Sequence, residues 1–200
     1  MRKCALAALA LLSLAGRGWA QLSFQPGGSL RIEGDSSLHK WSSTATVVAM
    51  TFEVAEEGPQ SLPYAITSSK IKGLEVKIPV AGLKSGESGL DKNLRKAMNA
   101  EKYPDIVYRL DQYQMAPGEV KGVLLAKTTG NLTIAGQTKP VAIDVEFRLG
   151  PNKASIRGNY TLDMSDYGIT PPTLMLGTIK VRDPITIRFD LILKPQENAP

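Results

Sequence analysis

From Val141 to Leu149 every second residue is apolar: Val141, Ile143, Val145, Phe147 and Leu149 alternate with Ala142, Asp144, Glu146 and Arg148. Successive side chains of a strand point to opposite faces, so this period of two puts one apolar and one wet face on the same segment. No feature of the chain constrains its fold more, because the pattern recurs. Ile185, Ile187, Phe189, Leu191 and Leu193 alternate with Thr186, Arg188 and Asp190; Leu74, Val76, Ile78 and Val80 with Glu75, Lys77 and Pro79; Ile106, Tyr108 and Leu110 with Val107, Arg109 and Asp111. Less regular strands fit residues 29–33, 43–54, 119–134 and 154–162, which brings the expected count to eight.

Turn formers separate these segments: Glu57-Gly58-Pro59, Ala116-Pro117-Gly118, Ala135-Gly136-Gln137 and Gly150-Pro151-Asn152. Short links of this kind join antiparallel neighbours. A sheet that is apolar on one face has to fold over as a sandwich or close as a barrel, and closure also removes its edges.

One stretch breaks the period. Between Ser88 and Lys102, Leu90, Leu94 and Met98 recur every four residues beside Ala97; Ser88 stands where a cap is needed and Tyr103-Pro104 ends the run. The spacing predicts one amphipathic helix over about residues 89–101, its stripe laid across an open end of the β-structure. Leu90, Leu94 and Met98 are accordingly the candidates for a lid.

The first twenty residues read as a targeting segment. Arg2 and Lys3 precede the apolar run from Ala5 to Ala15, and Gly18 and Ala20 occupy the small-residue positions of a signal-peptidase site. Residues 1–20 are therefore expected to be a signal peptide, 21–193 one domain, and 194–200 a disordered tail. The expected location is periplasmic or secreted. Cleavage near Ala20 removes Cys4, the only cysteine, and with it thiolate metal sites, cysteine nucleophiles and disulfides. It also removes three of the 24 Lys and Arg residues that oppose 19 acids, so little of the formal +5 charge belongs to the domain. The remaining bases are scattered, and nucleic acid is not an expected partner.

Chemistry is hard to assemble from what is left. His39, the single histidine, lies among serines in "GDSSLHKW" (34–41), but a triad needs a positioned serine and an acid, and Ser85-Gly86-Glu87-Ser88-Gly89 lacks the spacing of a nucleophile elbow. One histidine cannot build a zinc site. No catalytic or metal-ligating residue is expected, and no cofactor is required.

Four stretches in order carry a resemblance: "GDSSLHKW", "GLDKNLRKAMNAEKYPDIVY" (89–108), "GNLTIAGQTKPVAIDVEF" (130–147) and "MSDYGITPPTLMLGTIKVRDPITIRFDL" (164–191). Together they resemble the YceI-like family of exported polyisoprenoid-binding proteins. The sequence departs from that pattern at Leu90-Asp91-Lys92, where many relatives carry an Arg-Asp pair. The resemblance implies an all-β fold, an eight-stranded antiparallel lipocalin-like barrel with the helix near an open end. It also implies a non-enzymatic role in carrying or sequestering a polyisoprenoid, an isoprenoid quinone or a similar long apolar lipid. Barrel-lining candidates are then Leu74, Val76, Ile78, Tyr108, Val145, Phe147, Ile187 and Phe189. His39, Arg95 and Lys102, with the Tyr108 hydroxyl, are candidates for a lipid's polar head. The partners such a protein admits are a long-chain apolar lipid, a membrane in transient contact and a second copy of itself in a homodimer. The competing reading is an envelope structural or protein-interaction module with a filled core, and a hydrolase using His39 stands third.

Overall fold

A computed structural model describes residues 20–54, 71–150, 154–174 and 178–195. Cys4, most of the expected signal segment, the Glu57-Gly58-Pro59 turn, Pro151-Asn152 and residues 196–200 lie outside them. The strands are β1 (Ala20–Ser36), β2 (Lys40–Ala45), β3 (Ala49–Val54), β4 (Ile71–Pro79), β5 (Leu83–Lys84), β6 (Asp105–Pro117), β7 (Val123–Ile134), β8 (Gln137–Leu149), β9 (Ala154–Asp163), β10 (Thr173–Leu174) and β11 (Ile179–Pro195). One α-helix, α1 (Ser88–Ala97), and two 3₁₀ turns, Val80–Gly82 and Met164–Tyr167, complete the described structure.

All ladders are antiparallel, and the sheet curls until its ends meet. Its order is β10-β11-β9-β8-β7-β6-β4-β3-β1-β2-β5, and β1 also pairs with β11, from Phe24↔Pro195 to Ser36↔Val181. Among the described residues eleven strands replace the eight expected, and eight of them form the closed cycle of pairings; β2, β5 and β10 are short additions to it. The difference arises mainly where one strand over 43–54 is expected. That stretch is broken into β2 and β3, because Thr46 turns aside to give its N–H and its hydroxyl to the Gly82 carbonyl, and β5 pairs with the end of β2.

Alternation explains the wall. Along β7, Ala126, Thr128, Gly130, Leu132 and Ile134 are buried while Leu125, Lys127 and Thr129 are exposed. The outer face carries cross-strand ion pairs such as Arg188–Glu33 at 2.8 Å and Arg157–Asp190 at 2.9 Å, which at such exposure are screened by solvent and add little to stability. Inside, Phe52, Val80, Leu83, Ala154 and Leu193 are almost wholly buried. The wall is not uniform. The β8–β9 ladder runs from Leu149↔Ala154 only as far as Val145↔Gly158, and the β4–β6 ladder stops at Glu75↔Arg109. Tyr113 bridges part of the second gap, its hydroxyl 3.2 Å from the Ile71 amide that donates to it.

The helix is shorter than expected. Ser88 is its first residue, not its cap; Glu87 holds the cap position and no side chain there satisfies the first turn. Asp91 anchors the loop instead, its Oδ1 accepting from the Ser85 amide at 2.8 Å and the Ser85 hydroxyl at 2.7 Å. Asn99, in the left-handed region at φ 49°, ends the helical run, and Asn99 O then accepts from the Lys102 and Tyr103 amides. Among the described residues no helix is long and apolar enough to cross a membrane.

The Ser85 bonds hold the Asp91 carboxyl below its ordinary value of 3.8, the hydroxyl contributing most and the amide next. The folded state therefore favours the ionised form. That stabilisation is present above the usual carboxylate range and is lost as pH falls through the lower folded value. Asp91→Asn should make thermal stability measurably flatter between about pH 5 and pH 2. Parallel acid denaturation curves for the variant and the wild type would contradict this.

Candidate functional site

Two cavities lie end to end inside the curled sheet. The larger, about 130 Å³, is walled by β1, β3, β4, β6, β7, β8, β9 and β11. The smaller, about 80 Å³, lies under α1. Ile32, Ile106 and Ile187 border both and form the waist between them.

The larger cavity gathers Leu74, Val76, Ile78, Tyr108, Val145, Phe147, Ile187 and Phe189, all eight of the expected lining residues. Ile143, Val145, Ile187 and Phe189 face inward yet are only half-buried, as expected of apolar side chains beside open space. The Thr128 and Tyr108 hydroxyls at this cavity are engaged. Thr128 donates to the Ile143 carbonyl at 2.8 Å, and the Tyr108 hydroxyl lies 3.3 Å from Thr128 Oγ1. Burial pushes the Tyr108 phenol up from its ordinary value. An ionised Tyr108 is thus disfavoured, which suits an apolar chamber.

The smaller cavity is where the separated sequence signatures converge. Trp41 comes from "GDSSLHKW", Leu90, Leu94 and Met98 from the helix, Ile134 from "GNLTIAG", Tyr167 and Ile169 from "DYGI", and Ile185 and Ile187 from the last strand. Backbone conformation explains part of the convergence. Ala135 and Gly136, at φ 48° and 80°, make the two-residue turn between β7 and β8. Tyr103 lies so close to Gly136 that a Cβ there would come within 2.4 Å of its ring. Gly168, also left-handed at φ 68°, ends the turn that seats Tyr167. Tyr167 is 2% exposed, and this burial pushes its phenol up to about 12.

The head-group candidates stand elsewhere. His39 is exposed, its Nδ1 2.9 Å from the Lys40 carbonyl, and it lines neither cavity. Arg95 and Lys102 line neither cavity either; the Lys102 ammonium sits 5.1 Å from the centre of the Tyr103 ring. Among the described residues no three His, Cys, Asp or Glu side chains gather where they could hold a metal ion.

Sequence reasoning passed over Trp41 as a site residue. Its Nε1 is buried and has no hydrogen-bond partner, a condition shared among the described residues only with Ser43 Oγ, two positions along the same strand. Leaving such a donor unpaired costs about 1–3 kcal/mol. The tryptophan next to the sole histidine was the available signal, but alternation places it without revealing whether its N–H is paired. Met50, Phe52, Leu30 and Ile32 were also missed as lining residues. Leu30 and Ile32 do alternate with Arg31 and Glu33, in a strand too irregular to single out.

A family model described as YceI-like domain matches residues 29–193. Three solved structures share the fold. BcnA of Burkholderia cenocepacia is 15% identical, with 82% of this chain and 95% of that one covered at a TM-score of 0.62. A polyisoprenoid binding domain from Saccharophagus degradans, implicated in plant cell wall breakdown, is 11% identical, with 88% and 99% covered at 0.63. The YCEI protein of Campylobacter jejuni is 22% identical, with 78% and 85% covered at 0.55. No match was found among curated proteins.

Proposed function

The chain belongs to the YceI-like family, and on that premise we propose that it is an exported, non-enzymatic protein that binds a long, slim apolar lipid inside its curled sheet. The ligand class is a polyisoprenoid or an isoprenoid quinone, and the role is to carry or sequester it. What carries the reading is the pair of apolar cavities that share the waist of Ile32, Ile106 and Ile187 along one interior. The family membership and the likeness to a polyisoprenoid binding domain support the choice of ligand class.

The driving force is partition. Burial of apolar chain is worth roughly 0.8 kcal/mol per methylene, so affinity grows with chain length and needs no charged contact. Size sets a condition on that growth. A cavity of about 150 Å³ holds one benzene, so 130 Å³ corresponds to about five carbon atoms and 80 Å³ to about three. A longer chain enters only if lining side chains move apart. Met50 and Met115, unbranched and adaptable, border the larger cavity and are suited to that repacking. An apolar lipid of this kind leaves and rejoins a bilayer rather than free solution, so transient membrane contact belongs to the proposal.

Organic extraction of the purified protein followed by mass spectrometry tests it. The expected result is an isoprenoid or isoprenoid quinone at a reproducible ratio to protein. Repeated extracts with no isoprenoid, quinone or fatty acid would overturn the reading in favour of an envelope module with a filled core.

A further inference from the structure

We propose that the lipid enters from the side, through the parting between β8 and β9, and that the Phe189 ring, lodged in the space left by Gly158, is the stopper it displaces. The inference rests on the lipid-binding reading and deepens it by giving the larger cavity its mouth.

Pairing in the wall lapses at this place. β8 and β9 are joined from Leu149↔Ala154 to Val145↔Gly158 and no further. Beyond that row the sheet holds residues 137–144 of β8 through β7 alone, and residues 159–163 of β9 through β11 alone. Among the described residues no side-chain hydrogen bond or ion pair joins the two stretches; the Thr161 hydroxyl, for one, turns to Thr186 on β11. In the β4–β6 parting, by contrast, the Tyr113 hydroxyl takes the Ile71 amide across the gap. The opening has two ends. One is the Val145↔Gly158 row; at the other the turn after β9 returns to the start of β8, where a Cβ on Gly168 would meet Gln137 Cγ at 3.8 Å. Residues 159–163, roughly 16 Å of strand, lie between them.

The side chains around the opening have room to move. Ile143 and Val145 on β8 and Tyr160 on β9 face inward, stay half-buried and border the larger cavity. Phe189 pairs with Gly158 and leans over it: a Cβ at position 158 would come within 2.4 Å of the ring. Gly158 is not in the left-handed region, so its lack of a side chain serves to admit that ring. A ring in a close-packed wall needs free volume beside it to change rotamer, and the cavity of about 130 Å³ that Phe189 borders supplies it. Outside, a groove crosses the same row, and Ala126, Val145 and Phe189 border both groove and cavity. Moving the ring aside joins the two.

The route past α1 is fastened. Asp91 ties the first turn of the helix to Ser85, and Met98 is buried. A chain entering there would still have to pass the waist of Ile32, Ile106 and Ile187 to reach the larger cavity. Leu90, Leu94 and Met98 thus roof the smaller cavity rather than gate the larger one.

Stopped-flow uptake of the apolar fluorophore N-phenyl-1-naphthylamine by the full chain tests the route. Substitutions that only remove contacts act mainly on the dissociation rate, whereas removing a stopper raises the association rate. Phe189→Ala should raise that rate roughly ten-fold, and Leu94→Ala on the helix should leave it as in the wild type.

A second measurement does not depend on F189A folding. Asp144 and Asn159, both exposed, are the residues next beyond the last β8–β9 pair. With Asp144→Cys and Asn159→Cys, and Cys4→Ser to remove the native thiol, a bis-maleimide linker with an internal disulfide should bridge the opening and slow uptake roughly ten-fold. Reducing the linker should restore the rate. An unchanged association rate in F189A, wild-type uptake by the bridged protein, or faster uptake in L94A than in F189A would each overturn side entry while leaving lipid binding intact. If the wild type shows no saturable uptake, the lipid-binding reading falls with it.

Discussion

Val145→Phe should leave the protein folded and strip it of lipid. Val145 sits midway along β8, across from Ala126 on one side and Gly158 on the other, and turns its side chain to the larger cavity. Phenylalanine adds four heavy atoms at a position whose neighbour space is about 130 Å³, and aromatic residues suit strands. Overpacking a filled core costs about 1–3 kcal/mol, but here existing space takes up the ring. The expected change in stability is below about 1 kcal/mol, or about 3 °C in melting temperature for a domain of this size. Lipid recovered by organic extraction should fall at least about ten-fold, since even two displaced methylenes are worth more than 1.4 kcal/mol. A stable variant that retains as much lipid as the wild type would place the ligand somewhere other than this cavity.

Phe52→Ala should act in the opposite sense. Phe52 lies on β3, pairs with Leu74 across the β3–β4 ladder and is 1% exposed. Truncating a buried phenylalanine to alanine typically costs about 3–5 kcal/mol. Against the roughly 5–15 kcal/mol that holds most domains together, this is the most damaging single change considered. Because Phe52 also borders the larger cavity, the new space joins the bore, and the variant should admit bulkier apolar probes than the wild type. Urea unfolding gives the stability term and fluorophore displacement the second. A loss smaller than about 1 kcal/mol would mean that the side chain packs far more loosely than its burial indicates.

The two substitutions separate what residue types reveal from what their assembly decides. Val145 and Phe52 both read as inward-facing strand residues. Nothing in their neighbours along the chain says that one has space beside it and the other is nearly enclosed. That distinction depends on how many strands close the ring and on where the β4–β6 and β8–β9 ladders part, and both are sums over distant segments.

Local signals fared best where the chemistry is local. The left-handed turn at Ala135-Gly136 was legible because glycine tolerates that conformation, and the Leu90, Leu94 and Met98 stripe was legible because a helix returns every four residues to one face. The break at Thr46 was not, since residues 43–54 keep strand-forming types throughout and the interruption comes from Gly82, far along the chain. Nor was the anchoring of the helix by Asp91. Ser88 is a suitable cap by type, but the loop closed through Ser85.

The head-group candidates make the same point about charge. Arg95, Lys102 and His39 carry the residue types that bind phosphate, and type was all that could be judged before the chain was folded. Their side chains lie outside both cavities, and the buried side-chain groups left without a partner among the described residues are the Trp41 indole N–H and the Ser43 hydroxyl.

By itself the sequence determined the antiparallel β-class, the face each residue takes in its strand, the position of helix α1 and the family signatures, because each follows from periods of two or four and from short turns. Only the tertiary structure decided that the sheet meets itself through β1 and β11, that apolar faces enclose two chambers rather than a solid core, and that Trp41 is left unsatisfied. The physical reason is that closure, free volume and hydrogen-bond satisfaction are set by contacts between segments far apart in the chain, and alternation constrains which side a residue faces without fixing what it meets there.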